Sequence, residues 1–134
     1  MAEFVKMVVY VARSKWGRWP AADFVPAARQ TALAQCITGA LVEDGAAIFH
    51  IVEGPAPAVD RFMAFVSLSR HLSNVRVVHD YRRENRLFAD MPLAHISDPA
   101  WSERIQNLLA GGEVIRGDVW QFCVEVSERV RPAP

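Results

Sequence analysis

The sequence predicts an α+β domain built on a ferredoxin-like sheet, with two helices on one face of the sheet and further helices at the C-terminal end. Apolar runs of strand length alternate with amphipathic stretches in the order β-α-β-β-α-β-β, and an Asp-Gly pair between two of the runs marks a hairpin. The chain has 134 residues, of which 51% are hydrophobic, so it can bury one core. No internal repeat, low-complexity tract or linker interrupts the pattern.

The first strand is predicted over residues 4–12, where apolar and β-branched side chains have the density of a strand buried on both faces. Gly17 and Pro20 then break the pattern. The same loop carries Trp16 and Trp19, which predict either a lid or contact surface, or a cover over the edge of the core. The sequence leaves both interpretations open.

The first helix is predicted over residues 23–35, with Asp23 as its N-cap. Two apolar runs follow, over residues 37–43 and 46–53, and they flank the pair Asp44-Gly45. Asp-Gly between two apolar runs is a strong signal for a hairpin. The sequence therefore predicts that the second and third strands pair with each other.

The second half of the chain continues with a helix over residues 58–69, whose apolar side chains recur at three and four residues. Strands are predicted over residues 74–81 and 92–96, and Asp98-Pro99 is a clear helix start. The last of two C-terminal helical segments has an apolar stripe running from Val119 to Val130. This stripe must be buried against the open face of the sheet or, as the second alternative, against another copy of the chain.

Composition narrows the class of protein. Fifteen basic and fifteen acidic residues give a formal charge of zero, so no overall field favours nucleic acid or an anionic membrane. No segment approaches the length of a membrane span, and the N-terminal residues do not resemble a signal peptide. Cys36 and Cys123 are too few for a disulfide framework and are expected in the core. A cytoplasmic location is expected.

No catalytic signature is present in the sequence, so the chain is not expected to be an enzyme. The polar residues of interest are Tyr10 in the first strand and His50 in the third, each among residues expected to be buried. A buried phenol or imidazole without a partner costs about 1–3 kcal/mol. The two side chains either satisfy each other or face a ligand.

Short motifs spread over residues 5–95 carry a resemblance to a known family. They are Val8-Val9-Tyr10-Val11, Ala28-Arg29, Ile37-Thr38-Gly39-x-Leu41, Phe49-x-x-x-Glu53-Gly54, Arg70-His71 followed by Asn74-Val75, and Arg86-x-Phe88. No single motif is specific, but their order and spacing together are. On these residues the chain resembles the BLUF domains, which are flavin-binding sensors of blue light.

The resemblance implies a ferredoxin-like core over residues 1–98 and a C-terminal helical extension of the same domain over residues 99–134. It also implies FAD held between the two helices, with light-driven electron and proton transfer from the first-strand Tyr and a change of hydrogen bonds at a third-strand Gln. The residues that it assigns to the cofactor site are Tyr10, Arg29, Thr31, Ala32, His50, Arg70 and Met91.

Two of these residues depart from the family pattern. His50 stands where the family has the Gln, and Ala32 stands where the first helix normally offers an Asn amide. An amide has two N–H donors and an acceptor oxygen, whereas neutral imidazole has one donor and one acceptor and cannot undergo amide rotation. Each missing hydrogen-bond partner weakens flavin binding by about 1–3 kcal/mol.

Three hypotheses follow. The chain is a flavin-dependent light sensor, or a flavin-free descendant that binds a regulatory protein, or a binder of another ligand, such as haem or a small aromatic metabolite, through His50. The sequence shows no attached output domain, so the signal is expected to leave through an unidentified regulatory protein or through formation of a homo-oligomer. The C-terminal stripe, Trp16 and Trp19 are the candidate surfaces.

Overall fold

The computed structural model of the protein describes residues 4–15, 17–19 and 21–131. Within them lie five strands: β1 (Val5–Ser14), β2 (Thr38–Glu43), β3 (Ala47–Gly54), β4 (Leu72–Arg83) and β5 (Ala94–Ser97). The helices are α1 (Ala21–Ala34), α2 (Ala56–Ser67), α3 (Ser102–Leu109) and α4 (Arg116–Val130). A 3₁₀ turn, Pro99–Trp101, leads directly into α3.

The five strands form one mixed sheet in the order β4-β1-β3-β2-β5. Strand β1 is antiparallel to both β3 and β4, the hairpin β2–β3 is antiparallel, and β5 runs parallel to β2. The central strands β1 and β3 have partners on both sides. The predicted ferredoxin-like α+β arrangement is confirmed.

Helices cover both faces of the sheet. Alternate side chains of the strands point to opposite faces, so each face has its own core. Helices α1 and α2 share one core with Val8, Tyr10 and Ala12 of β1. Helices α3 and α4 share the other core with Met7 and Val9 of the same strand. The prediction of two helices on one face is confirmed, and the C-terminal helices lie on the opposite face.

The β2–β3 hairpin forms as its sequence predicts. The Asp44 carboxylate accepts hydrogen bonds from the backbone N–H groups of Ala46 and Ala47, both at 2.8 Å, and this ties the turn together. Within the hairpin, Gly39 lies close to the neighbouring strand, since a Cβ built there would be 1.8 Å from the carbonyl oxygen of Ile51. Only glycine fits at this position.

Two expectations about particular residues are wrong. Asp23 is not an N-cap, because α1 begins at Ala21 and places Asp23 in its first turn, where its charge still suits the helix dipole. Cys36 is exposed rather than part of the core.

The loop tryptophans had two interpretations, and the structure decides between them for Trp19. This side chain is buried and packs on Phe24, with ring centroids 4.7 Å apart, so it covers the core and is not a contact surface. Trp16 lies outside the described residues.

The apolar stripe of α4 is used within the chain. Phe122 stacks on Phe49 of β3, with ring centroids 3.9 Å apart and planes within 2° of parallel. Val119, Cys123 and Val126 are buried in the same core. Burial against the open face of the sheet, the first alternative from the sequence, is therefore the correct one, and the stripe is not available to a partner.

Among the described residues, no helix is both long enough and apolar enough to cross a bilayer.

Candidate ligand site around Tyr10 and His50

The candidate site is centred on a pair of polar side chains in the middle of the sheet. Tyr10 of β1 and His50 of β3 lie directly opposite each other in the antiparallel register. The Tyr10 hydroxyl lies 2.7 Å from Nδ1 of His50. Both side chains point into the core beneath α1 and α2, and their exposed fractions are 0% and 1%. Of the two alternatives that the sequence leaves open, mutual satisfaction of this pair is present in the structure.

Burial determines the protonation states of the pair. It raises the pKa of the Tyr10 phenol and lowers the pKa of His50 to about 3, because a charged group is poorly solvated in this core. Both groups are therefore neutral near pH 7. A neutral phenol and a neutral imidazole can share this hydrogen bond in two ways, with either the Tyr10 O–H or Nδ1–H of His50 as the donor, according to the tautomer of the ring.

The second ring nitrogen of His50 is free to bind something else. Among the described residues, no side chain or backbone group forms a hydrogen bond with Nε2. Phe62 of α2 lies against the imidazole edge-on, with ring centroids 5.6 Å apart and planes at 80°. His50 thus has one ring nitrogen bonded to Tyr10, while Nε2 has no hydrogen bond among the described residues and is not one of their fully buried polar atoms that lack a partner.

Helix α1 offers apolar surface to this core. Ala28 and Ala32 are completely buried and belong to the same core as Tyr10. The Thr31 hydroxyl, one position earlier, donates to the carbonyl oxygen of Ala27 at 3.0 Å within its own helix. The α1 side of the site therefore contributes no hydrogen-bond donor comparable to the amide that the family pattern has at Ala32.

The remaining predicted site residues occupy three different places. Arg29 donates through Nη2 to the carbonyl oxygen of Leu93 at 2.8 Å, which ties α1 to the segment before β5. Arg70 is exposed in the turn between α2 and β4. Met91 packs against the core on the α3–α4 face, opposite to Tyr10 and His50. The structure brings Tyr10 and His50 together and places Ala32 in the same core as Tyr10. A cofactor role for all seven predicted residues stays a prediction.

Sequence reasoning gave no role to Glu53, although the residue belongs to one of the motifs. Its carboxylate is completely buried on β3. It accepts hydrogen bonds from the Thr38 hydroxyl at 2.8 Å and from the backbone N–H groups of Leu87 and Phe88 at 2.8 and 2.6 Å. Glu53 thereby fixes the segment between β4 and β5 to the sheet. An acid inside an otherwise apolar strand was the signal that could have identified it.

Phe62 is a second contact that the sequence did not single out. Its helical spacing predicted a core position, and that is correct. What periodicity does not give is the partner, the imidazole of His50.

Two cavities lie away from this pair. One, of about 420 Å³, lies between α3 and α4 and includes Arg104, Leu108 and Phe122 in its lining. The other, of about 400 Å³, adjoins the end of α1 and is lined by Leu33, Cys36, Ile37, Thr38, Arg86, Ala89, Asp90 and Pro92. In the part of the chain that the structure describes, no group of His, Cys, Asp or Glu side chains could hold a metal ion.

Comparison with known proteins places this geometry in context. The family model described as BLUF, sensors of blue-light using FAD, matches residues 6–94. No protein of curated function matches the chain.

Solved structures of the same fold are numerous. The dark-state structure of the BLUF protein BlrB superposes with a TM-score of 0.77 at 20% identity, over 97% of this chain and 100% of BlrB. The photo-activated state of BlsA gives a TM-score of 0.78 at 14% identity, over 97% and 98% of the two chains. A bacterial light-regulated adenylyl cyclase gives 0.65 at 18% identity, and the match spans 96% of this chain but 37% of the cyclase. At these identities the structural matches show the fold.

Proposed function

The chain belongs to the BLUF family, the sensors of blue light that use FAD, and from this premise we propose that it binds a flavin between α1 and α2 and senses blue light. The observation that supports the proposal is the buried Tyr10–His50 pair beneath α1 and α2, in which His50 bonds to Tyr10 through Nδ1 and keeps its second ring nitrogen for a ligand. A hydrogen bond from this nitrogen to a ligand acceptor would contribute about 0.5–1.5 kcal/mol. The carbonyl groups of an isoalloxazine are acceptors of this kind.

The residues present fit a flavin at one end of the site and fit it less well at the other. His50 supplies the donor and Phe62 an aromatic edge, while Ala32 supplies no hydrogen bond where the family pattern has an amide. Losing one partner weakens binding by about 1–3 kcal/mol, or roughly ten- to a hundredfold in Kd. We therefore expect weaker flavin binding than at a site that has an amide side chain at position 32 and another at position 50.

When bound, the isoalloxazine supplies the absorption of blue light and the capacity to accept an electron. The protein supplies the polar contact and its connection to the sheet. In the tautomer in which Nδ1 of His50 accepts from Tyr10, Nε2–H can donate to the ligand, so one ring would join Tyr10 to the ligand. A change in the hydrogen bond between Tyr10 and His50 would then alter the hydrogen bond between His50 and the ligand, without any amide rotation.

The signal is proposed to leave through a regulatory protein or a second copy of the chain. The apolar stripe of α4 is buried and Trp19 is buried, so neither provides the contact. Strand β4 is at the edge of the sheet, and Val75 and Val77 on it are exposed, so this edge is the candidate surface. The catalytic activity of the light-regulated cyclase belongs to that longer protein and is not proposed for this chain.

Visible absorption spectroscopy tests the flavin site. Protein incubated with excess FAD and then desalted is expected to be yellow, and illumination should shift the flavin band to longer wavelength. Ala32→Asn restores an amide and should tighten FAD binding roughly ten- to a hundredfold. Ala34→Asn places the same amide on the exposed side of α1 and is the matched control, with unchanged binding expected.

A second function, a flavin-free regulatory domain, is favoured by one observation: Tyr10 and His50 already satisfy each other, with Phe62 packed against the ring. The same spectra separate the two proposals. Wild-type protein and Ala32→Asn protein that both stay colourless after incubation with FAD would support the flavin-free domain and overturn the flavin sensor. A haem spectrum, or a chromophore lost in His50→Ala protein, would point to the third ligand class that the sequence allows.

A further inference from the structure

The cavity between α3 and α4 lies on the face of the sheet opposite to the proposed flavin site. Its volume is about 420 Å³, within the size range of pockets that hold small organic molecules. The base of the cavity is continuous with the apolar core on this face, because Val119 and Phe122 are buried in that core. Leu108 and Val114 also line the cavity and pack against the same core. The cavity can therefore receive a hydrocarbon group.

Two acidic side chains line the same cavity. Glu113 lies in the connection between α3 and α4, and Asp118 lies in the first turn of α4, and both residues are exposed. In the part of the chain that the structure describes, neither carboxylate has a hydrogen bond or an ion pair. Asp118 suits the dipole at the start of α4, but Glu113 lies outside any helix and has no such structural reason.

The basic residue in the lining does not offset these charges. Arg104 of α3 is ion-paired with Glu125 of α4, and its guanidinium lies 4.2 Å from the centroid of the Phe122 ring. Its positive charge is therefore already balanced by Glu125. The cavity combines an apolar base with a net negative lining, and that combination is complementary to a molecule that is both hydrophobic and positively charged.

The wall formed by the α3–α4 connection is held in place from the sheet. Arg76 of β4 donates through Nη1 to the carbonyl oxygen of Leu108 at 2.5 Å and through Nη2 to that of Gly112 at 2.8 Å. The Tyr81 hydroxyl donates to the carbonyl oxygen of Arg116 at 3.2 Å. These hydrogen bonds fix the two ends of the connection. The cavity is thus largely formed before a ligand arrives, and binding needs little further ordering of the chain.

We propose that this cavity binds a small organic cation, in which an ammonium or amidinium group is carried on an aromatic or branched hydrocarbon body. The hydrocarbon body packs on the apolar base, and the charged group donates to the carboxylates of Glu113 and Asp118. The side-chain amides of Asn107 and Gln121 also line the cavity and offer acceptor oxygens for further N–H groups. The site is separate from the flavin site, so the proposal does not rest on flavin binding.

The test uses three probes of nearly the same shape: phenylbutylamine, phenylbutanol and phenylbutyrate. Each is titrated into the whole nitrogen-15-labelled chain without flavin and followed by NMR. The amine should shift the amide signals of residues 107–122 saturably, with a Kd on the order of 1–10 mM for a molecule of this size. It should bind about fivefold more tightly than the alcohol, the range expected of two exposed ion pairs, and added salt should reduce this preference. The carboxylate probe should not bind measurably.

Amide variants separate the charge of the lining from its shape. In protein with both Glu113→Gln and Asp118→Asn, the amine should bind no more tightly than the alcohol, and the affinity for the alcohol should be unchanged. Glu103→Gln is the matched control, because Glu103 is an exposed acid of α3 that does not line the cavity. The control protein should keep the wild-type preference for the amine.

Four results would overturn the proposal. They are no saturable binding of the amine, equal affinities of the wild-type protein for the amine and the alcohol, amide shifts centred outside residues 107–122, and a loss of preference in Glu103→Gln protein as large as in the double variant. The comparison of the three probes needs no substitution, so it decides the matter even where the double variant does not fold. Failure of FAD to bind would contradict the proposed function and leave this test unaffected.

Discussion

Acid should destabilise this protein through His50, and the effect can be worked out from its burial. In the unfolded chain the imidazole has the ordinary pKa of about 6.5, whereas in the folded protein burial lowers it to about 3. The unfolded state therefore binds the proton more readily. The contribution of neutral His50 to stability is complete above pH 6.5, declines as the pH falls towards 3, and is fully lost below that value.

The expected size follows from linkage. Between pH 7 and pH 5 the difference in proton binding at His50 amounts to about 2 kcal/mol of unfolding free energy. Asp44 and Asp98 do not contribute between pH 7 and pH 5. Hydrogen bonds, and for Asp98 also an ion pair with Arg129, lower the pKa of each carboxyl, so their protonation reduces the unfolding free energy only below about pH 4. His79 does contribute, since burial and Arg116 lower its pKa as well.

Urea unfolding at several pH values measures the effect. The comparison is best made in a His79→Gln background, where the amide oxygen can still accept from Arg116. In that background the unfolding free energy should fall by about 2 kcal/mol from pH 7 to pH 5 with His50 present, and His50→Gln should remove most of the fall. The slope is the readout, so a uniform loss of stability in the variant does not matter. Slopes equal to within about 0.5 kcal/mol would refute the reasoning.

Further predictions concern the sheet and the contact of α4 with β4. Gly39→Ala should destabilise the protein by about 3 kcal/mol or more in urea unfolding, because the new Cβ meets the Ile51 carbonyl. Gly112→Ala is the control: the space around Gly112 is open, so its stability should change by less than about 0.5 kcal/mol. Glu53→Gln should cost about 1–3 kcal/mol, since an amide cannot accept all three hydrogen bonds, and an unchanged midpoint would contradict this role. Arg116→Met should raise the pKa of His79, because Nε of Arg116 lies 2.6 Å from Nε2 of His79 and its charge disfavours the imidazolium. An NMR titration in which His79 has the same midpoint in the wild-type and Arg116→Met proteins would contradict this.

The buried Tyr10–His50 pair is a polar contact inside a largely apolar core. A solvent-excluded phenol needs a partner, and the hairpin that carries His50 supplies it through backbone pairing of β1 with β3. The partner is a titratable base rather than an amide.

Much of this was available from the sequence. Asp44-Gly45 between two apolar runs determined the hairpin, and apolar periodicity determined which strands and helices exist and which side chains they bury. Tyr10 and His50 were identifiable as polar residues inside buried strands. These features depend on residues close in sequence, and local backbone preference and side-chain period are properties of short segments.

Tertiary structure decided the rest. Tyr10 and His50 are 40 residues apart, and only the β1–β3 register sets their side chains opposite each other. Three other features are likewise long-range. Met91 lies on the far face of the sheet, α4 packs on the sheet rather than on a second copy of the chain, and Arg29 is hydrogen-bonded to Leu93. Such contacts depend on which surfaces fill each other's volume across the whole chain, and no short segment contains that information.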